Sequence, residues 1–251
     1  MLNERRDRIV ETVNRQGVIS FGDLAVMFPD VSDMTLRKDL RSLDEDGRIV
    51  RIHGGARSLN NVLSQDVPLT QRLTQNIGLK REIAKKAAAY VREGSSVFLD
   101  SGSTMTELAD IFPDIPCTVF CGGLSCVDRL SRLKEPGVYL LGGMLNKSSL
   151  SVRDPRVARE VESFHFDISF ISVNGFTPES GFCCRSPERQ LMEQAVLRRS
   201  GLRVVLMDST KVGQSCPFQI CRTEEADVLI SDTQLSQSVR RAVTEKGVTV
   251  L

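Results

Sequence analysis

Histidine is nearly absent from this chain, with only His53 and His165 present, and none of its seven cysteines (Cys117, Cys121, Cys126, Cys183, Cys184, Cys216 and Cys221) sits in a Cys-x-x-Cys pair. The ligand spacing of a structural zinc site is therefore missing. A Ser-His-Asp or Cys-His nucleophile would need one of just two imidazoles in the right place, so hydrolase chemistry is disfavoured. An odd number of cysteines, in a chain long enough to fold without staples, argues for reduced thiols over a disulfide framework. The glycine spacing of a dinucleotide fingerprint or a phosphate loop does not occur. No apolar run approaches the roughly 18 residues of a membrane span. The opening residues Met1 to Asp7 are charged and lack the apolar stretch of a secretory signal. Lys plus Arg number 33 against 32 Asp plus Glu, so no excess of one sign marks a histone-like or acidic-tail protein. The expectation is a cytoplasmic protein with no membrane association, no metal, no cofactor and no catalytic residues.

What is present is 251 residues, 41% apolar and 26% charged, enough for a real core and best split into a small and a larger domain. The division falls near residue 60. Ile9, Val10 and Val13 recur at helical spacing up to Gln16-Gly17, where glycine suits the residue after a helix. Ser20-Phe21-Gly22-Asp23 reads as an N-cap with an acid three places on, opening a short helix through Leu24, Ala25 and Phe28. After a turn at Asp30 to Asp33, Leu36, Leu40 and Leu43 mark a third helix that stops at Gly47. Arg48 to Ile52 alternates charged and apolar residues like a strand, before a turn at His53-Gly54-Gly55. Three short helices and a strand pair within residues 1–57 predict a winged helix-turn-helix.

At 100° per residue the three leucines of the third helix share one stripe, within about 40° of a common line. Arg37, Lys38 and Arg41 then lie on the opposite side, with Thr35 on the flank near the helix start. That is the layout of a recognition helix, apolar inside with Arg and Lys facing a groove. Arg37 suits a bidentate contact to guanine, while Lys38 and Arg41 reach base or phosphate. Arg48, Arg51, His53 and Arg57 form a wing. Acids and bases are about equal over the first 59 residues, so the basicity is local, and a solvated helix face is the bland alternative. Asp39 is expected to pair internally with a neighbouring base. Double-stranded operator DNA is the implied partner. Residues 58–76 are polar and read as a linker, with Pro68-Leu69 and Arg72-Leu73 positioned to dock on the larger domain.

Residues 77–251 alternate strands and helices. Strands are predicted at Ser96 to Leu99, Thr118 to Cys121, Val138 to Leu141, Asp167 to Val173, Arg203 to Met207 and Val228 to Ile230. Helices are predicted at Leu79 to Val91, Thr104 to Ile111, Val127 to Leu133, Arg156 to Ser163, Glu188 to Ser200 and Gln237 to Lys246. This is a mostly parallel α/β sheet. Such sheets bind ligands beyond the carboxyl ends of their strands. The residues there are Asp100-Ser101-Gly102-Ser103-Thr104, Gly122, Gly142-Gly143 leading to Lys147, Asn174 and Asp208-Ser209-Thr210-Lys211. A Ser-Gly-Ser-Thr turn opening a helix offers amides, hydroxyls and the positive end of the helix dipole to an anion, and Lys211 adds a full charge. The implied ligand is a small phosphorylated sugar or polyol, with carboxylates and Asn174 for its hydroxyls. Each motif alone is more often a plain strand-to-helix connection; their coincidence on one edge carries the reading.

Residues 4 to 57 resemble the DeoR family of bacterial transcriptional regulators, on Thr35-Leu36-Arg37-Lys38-Asp39-Leu40 and Gly47-Arg48-Ile49-Val50-Arg51-Ile52-His53-Gly54-Gly55-Ala56. The C-terminal part is similar to the DeoR sensor domain, on Asp100 to Thr104, Leu141-Gly142-Gly143, Gly181-Phe182 and Asp208 to Gly213. The resemblance implies a fold related to ribose-5-phosphate isomerase and a phosphorylated sugar as effector. It makes Asp100, Ser101, Gly102, Ser103, Thr104 and Lys211 the site candidates. The chain departs from the family at Cys121-Gly122-Gly123, where a Thr-Asn-Ser-like turn is usual. It departs again at Asn174, where Asp is common, and at Arg185 to Arg189, where an acidic, Lys-containing helix start is usual. The expected function is an effector-released repressor of a carbohydrate operon, working as a dimer or tetramer. The competing class is a phosphosugar isomerase-like enzyme with an added N-terminal domain. There Asp100, Asp208, Glu188 and Lys211 would supply acid–base groups, although the Asn174 amide cannot serve as a base.

Overall fold

The computed structural model describes residues 2–16, 18–46, 48–52, 54–58 and 67–251. Two units divide between Gln65 and Asp66. In the first, α1 spans Leu2–Gln16, β1 Val18–Ser20, α2 Phe21–Met27, α3 Asp33–Glu45, β2 Ile49–Ile52 and β3 Gly55–Ser58. Ser20 caps α2 by accepting from the Asp23 amide at 3.1 Å, and Ser32 caps α3 by accepting from Thr35 at 3.3 Å. These bonds satisfy amides that the helix itself leaves without partners. Leu36, Leu40 and Leu43 are buried with Ile9, Val13, Leu24 and Ile49 in one small core.

The wing differs from the expected strand pair, because β1 adds a third strand in the order β1-β3-β2, all antiparallel. Three residues flanked by two helices carry too little alternation to read as a strand. Gly55 is required where β3 meets β1, since a Cβ there would lie 2.1 Å from the Ile19 carbonyl oxygen. The helix stops expected at Gly17 and Gly47, and His53, lie outside the described residues.

The second unit begins earlier than the expected boundary at residue 77. Helix α4, Leu69–Thr74, belongs to it: Leu69 is buried, and its amide donates to the Ser148 carbonyl at 2.8 Å. Leu69 and Leu73, four apart, give this polar segment one apolar side, so it packs instead of linking. The expected docking is thus observed for Leu69, and of the linker expected over 58–76, Ser58 belongs to β3 and 69–74 to α4.

Next come α5 (Ile77–Ala88), β4 (Ser96–Leu99), α6 (Ser103–Asp110), β5 (Thr118–Cys121), α7 (Leu124–Leu130) and β6 (Gly137–Leu140). The hairpin β7 (Leu145–Asn146) and β8 (Ser151–Val152) leads to α8 (Pro155–Val161) and β9 (Phe166–Ser172). Then follow β10 (Gly175–Thr177), β11 (Gly181–Cys184), α9 (Pro187–Arg198), β12 (Ser200–Leu206) and β13 (Phe218–Cys221). The chain closes with β14 (Val228–Ile230), α10 (Gln237–Thr244) and β15 (Thr249–Val250). Seven strands form a parallel sheet in the order β15-β14-β12-β9-β4-β5-β6. One apolar layer joins it to α5, α6 and α7 through Ile83, Ala87, Met105, Leu108 and Cys126. The other joins it to α8, α9 and α10 through Val157, Val161, Val196 and Val243.

The strand order reverses between β4 and β9, because successive strands from β4 build towards one edge and those from β9 towards the other. A crevice opens beyond the strand ends at such a point. The antiparallel β10-β11-β13 sheet was not expected from sequence; its short strands include Gly175 and Gly181, which weaken a strand pattern. No helix among the described residues is long and apolar enough to cross a membrane.

Candidate functional site

On α3 the sequence sorts its residues as the helical wheel requires. Arg37, Lys38 and Arg41 are exposed opposite the buried leucines, and Thr35 is half-buried with its hydroxyl 2.9 Å from that of Ser32. The Arg37 guanidinium lies over the Phe21 ring, 4.3 Å from its centroid, which aims an otherwise mobile side chain. Arg37 shares a concave surface with Arg51, which brings helix and wing together. Arg41 stands 3.9 Å from Glu45, and Arg48 pairs with Asp7 at 2.7 Å, so both carry a local counter-charge. Arg57 is half-buried on β3. Asp39 is buried as expected, accepting from Arg5 at 2.7 Å and Arg6 at 3.0 Å, and this ties α1 to the inner side of α3.

In the second unit a cleft of about 50 Å³ lies at the β4/β9 switch point. From the expected set it gathers Ser103, Thr104, Asn174, Asp208 and Lys211. Ser103 and Thr104 open α6, whose first amides have no intrahelical partner and face outward at the positive end of the dipole. Gly102 precedes them at φ +118°, a left-handed backbone that only glycine adopts without strain. Across the cleft, Asp208 accepts from the Thr210 amide at 3.2 Å and from its hydroxyl, which shapes the short turn that carries Lys211.

Four expected residues stand elsewhere. Lys147 is exposed on the turn between β7 and β8 and does not line the cleft. Gly122 packs inside: its amide donates to the Leu99 carbonyl at 3.0 Å, and a Cβ would come 3.4 Å from Met192 Cε. Ser101 lies behind the turn, its carbonyl accepting from the Ser172 hydroxyl at 3.0 Å. Asp100 is fully buried beneath the floor, where its Oδ2 accepts from the Ser172 amide at 3.1 Å, the Ser172 hydroxyl at 2.9 Å and Arg189 at 2.9 Å. It is a positioning residue.

The cleft also holds groups that motif reading missed, namely Arg72, Gln75, Asn76, Lys80, Ser172 and Arg189. Lys80 donates to the carbonyls of Arg72 and Gln75. Burial pushes its ammonium below the ordinary lysine range, and the charges of Lys211 and Arg72 push the same way, against Asp208 and Glu107. A signal for it existed: Lys80 falls on the stripe of Ile83, Ala84 and Ala87, where a lysine has no business unless it is used. Arg189 and Glu193 likewise share the buried stripe of Met192 and Val196 on α9. Arg189 Nε stands 2.6 Å from Glu193, and its Nη1 donates to Asn174 Oδ1 at 2.9 Å. Burial drives the Glu193 carboxyl well above the usual range, with Asp100 adding to the effect and Arg189 opposing it. Four cations therefore line the cleft against one lining carboxylate, Asp208, and Arg189 meets the Asp100 carboxylate from above. Such a set favours an anion. Elsewhere, burial pushes the thiols of Cys126 and Cys221 up to about 12, which fits packing and not nucleophilic chemistry.

A family model described as the DeoR-like helix-turn-helix domain matches residues 5–62, and one described as the DeoR C terminal sensor domain matches residues 75–233. The chain is 31% identical over 250 residues to the HTH-type transcriptional regulator YulB of Bacillus subtilis, covering 100% of this chain and 96% of that one. It is 28% identical over 244 residues to the lactose phosphotransferase system repressor of Staphylococcus aureus, covering 96% of each. Ribose 5-phosphate isomerase A from Methanocaldococcus jannaschii aligns with it at a TM-score of 0.41 and 17% identity, over 55% of each chain.

Proposed function

The chain belongs to the DeoR family of transcriptional regulators, and we propose that it is a DNA-binding repressor of a carbohydrate operon, released by a phosphorylated sugar or polyol held in the cleft of its sensor domain. The observation that carries the effector half is the excess of cations around the opening of α6, with Arg72, Lys80 and Lys211 converging on one small space. A phosphate dianion matches that charge and the amides of the helix start. Ser103, Thr104, Lys80 and Lys211 hold the phosphate, while Asn174 and Asp208 meet hydroxyls.

The DNA half rests on α3. Arg37 and Lys38 enter the major groove, and Arg51 follows from the wing. A single such module reads a short half-site, so the working form is a dimer or tetramer that places two recognition helices on one operator. The effector shifts operator occupancy by its differential affinity for two arrangements of the protein, a coupling of about 1–3 kcal/mol. The protein acts in the cytoplasm, where the operator and the sugar phosphate both occur.

Turnover of the sugar is disfavoured by the groups at hand. Asn174 is an amide, the Asp208 carboxylate is held by Thr210, and Asp100 is closed off against Arg189. Glu188 accepts from the Ser186 hydroxyl at 2.6 Å outside the cleft. A candidate base must reach the proton it takes.

Thermal unfolding of the full chain against a panel of sugar phosphates, with the parent sugars as controls, tests the reading. A bound ester at 100 times its dissociation constant adds about 2.7 kcal/mol. A stabilising ester whose effect disappears in Lys211→Ala supports the assignment, and a panel with no stabilising ester overturns it.

A further inference from the structure

Cys183 and Cys184 are neighbours on β11 and face opposite ways, as successive residues of a strand do. Cys184 packs into the core beside α8, α9 and α10, where its thiol donates to the Ser186 carbonyl at 3.4 Å. Cys183 turns instead to the segment that runs from Lys211 to β13. Its sulfur accepts from the Cys216 amide at 3.1 Å and donates to the Gln214 carbonyl at 3.8 Å. The Cys183 and Cys216 thiols also hydrogen-bond to each other, and that contact, ahead of burial, holds the Cys183 thiol above its ordinary range. For Cys126 and Cys221 burial comes first. One bond beyond its amide, the Cys216 Cα lies within about 4.6 Å of the Cys183 sulfur. That is within the span of a disulfide.

The two thiols differ in access. Cys216 is half-buried between the exposed Ser215 and Pro217, while Cys183 and the other five cysteines are buried. We propose that Cys183 and Cys216 form an oxidation site for a hydroperoxide, closing to a disulfide that fastens the Lys211 segment to β11. Cys216 loses its proton to solvent, and its sulfur attacks one peroxide oxygen. The O–O bond breaks, the departing oxygen takes a proton and leaves as an alcohol, or as water when the oxidant is hydrogen peroxide, and Cys216 becomes a sulfenic acid. The Cys183 sulfur then attacks Cys216 Sγ, the S–O bond breaks, and the leaving hydroxide takes the Cys183 proton to form water. Two thiols give up two electrons, and the peroxide accepts them. A hydroperoxide is small enough to meet a half-buried sulfur, where a bulky disulfide oxidant is not. The Cys183 carbonyl accepts from the Asn174 amide at 2.9 Å, so the new bond joins the strand behind Asn174 to the segment of Lys211. The site is independent of what the cleft binds.

The test treats the reduced full chain with hydrogen peroxide and maps it by tandem mass spectrometry without reduction. The wild type should lose two thiols per chain and yield one intrachain cross-link, from Cys183 to Cys216, that dithiothreitol reverses. Cys184→Ser should keep the cross-link. Cys216→Ser, altered at a half-buried position and shown to fold by circular dichroism, should lose it. Amide exchange over residues 212–216 should slow in the cross-linked protein relative to its reduced form, and stay unchanged in peroxide-treated Cys216→Ser. Retention of both thiols, bonding of Cys183 to Cys184, cross-links between chains, or over-oxidation of Cys216 with no cross-link overturns the site. A Cys183–Cys216 bond that leaves exchange over residues 212–216 unchanged overturns the fastening of the segment and leaves the oxidation site standing.

Discussion

Arg189 and Asp100 meet at 2.9 Å beneath the cleft, the carboxylate fully buried and the arginine side chain 10% exposed. The same guanidinium reaches Ser172, Asn174 and Glu193, so one side chain organises the strand end of β9, the first residue after β4 and the stripe of α9. Asn174 and Arg189, both in stretches where the resemblance implies a departure from the family, are joined directly, since the arginine donates to the asparagine oxygen.

Removing the carboxylate leaves a buried guanidinium short of its counter-charge. Asp100→Asn is expected to cost the sensor unit about 3–5 kcal/mol, the range for breaking a buried pair from one side. Urea unfolding followed on that unit measures it, and a loss under 1 kcal/mol would mean that the pair is not structural.

Glu193 makes stability depend on pH. Its folded carboxyl is raised, mainly by burial, above the ordinary value of 4.5. Below 4.5 both folded and unfolded forms hold the proton, and the contribution of Glu193 is complete. As pH rises, the unfolded chain releases the proton first, so stability is lost progressively up to the folded value. The wild-type melting temperature should therefore fall relative to that of Glu193→Gln between pH 5 and pH 8. Parallel melting curves for the two proteins would rule out the shift.

On DNA, Arg37 and Lys38 separate by role. Arg37→Ala should cost about 1–3 kcal/mol on a selected duplex and relax the preference at one base pair, while Lys38→Ala should lower the salt slope by about one. Anisotropy titrations over a salt series read both. Arg37→Lys should not rescue, because an ammonium lacks the bidentate fork and the planar face over Phe21.

Much of this was legible in the residues. The strands at Ser96–Leu99, Thr118–Cys121 and Val228–Ile230 match their predicted limits, because short apolar runs ended by polar or glycine residues leave little freedom. Asp39 is internal as expected, paired with Arg5 and Arg6. Half of the cleft was not legible. Arg72, Lys80 and Arg189 lie on helices, where cations usually face water, and only their position on buried or packed stripes distinguishes them. Lys147 was assigned from a glycine pair before it, a local signal that carries no information on where the hairpin turns.

On the proposed function, occupancy of the cleft controls DNA binding. We would measure the affinity of the full chain for a duplex that it selects from a random pool, with and without each sugar phosphate, for the wild type and Lys211→Ala. The account predicts that one ester changes the wild-type affinity by about 5–150-fold, that its parent sugar does not, and that Lys211→Ala is unresponsive. Tight, sequence-specific binding that no ester alters, or an equal response from Lys211→Ala, would contradict it.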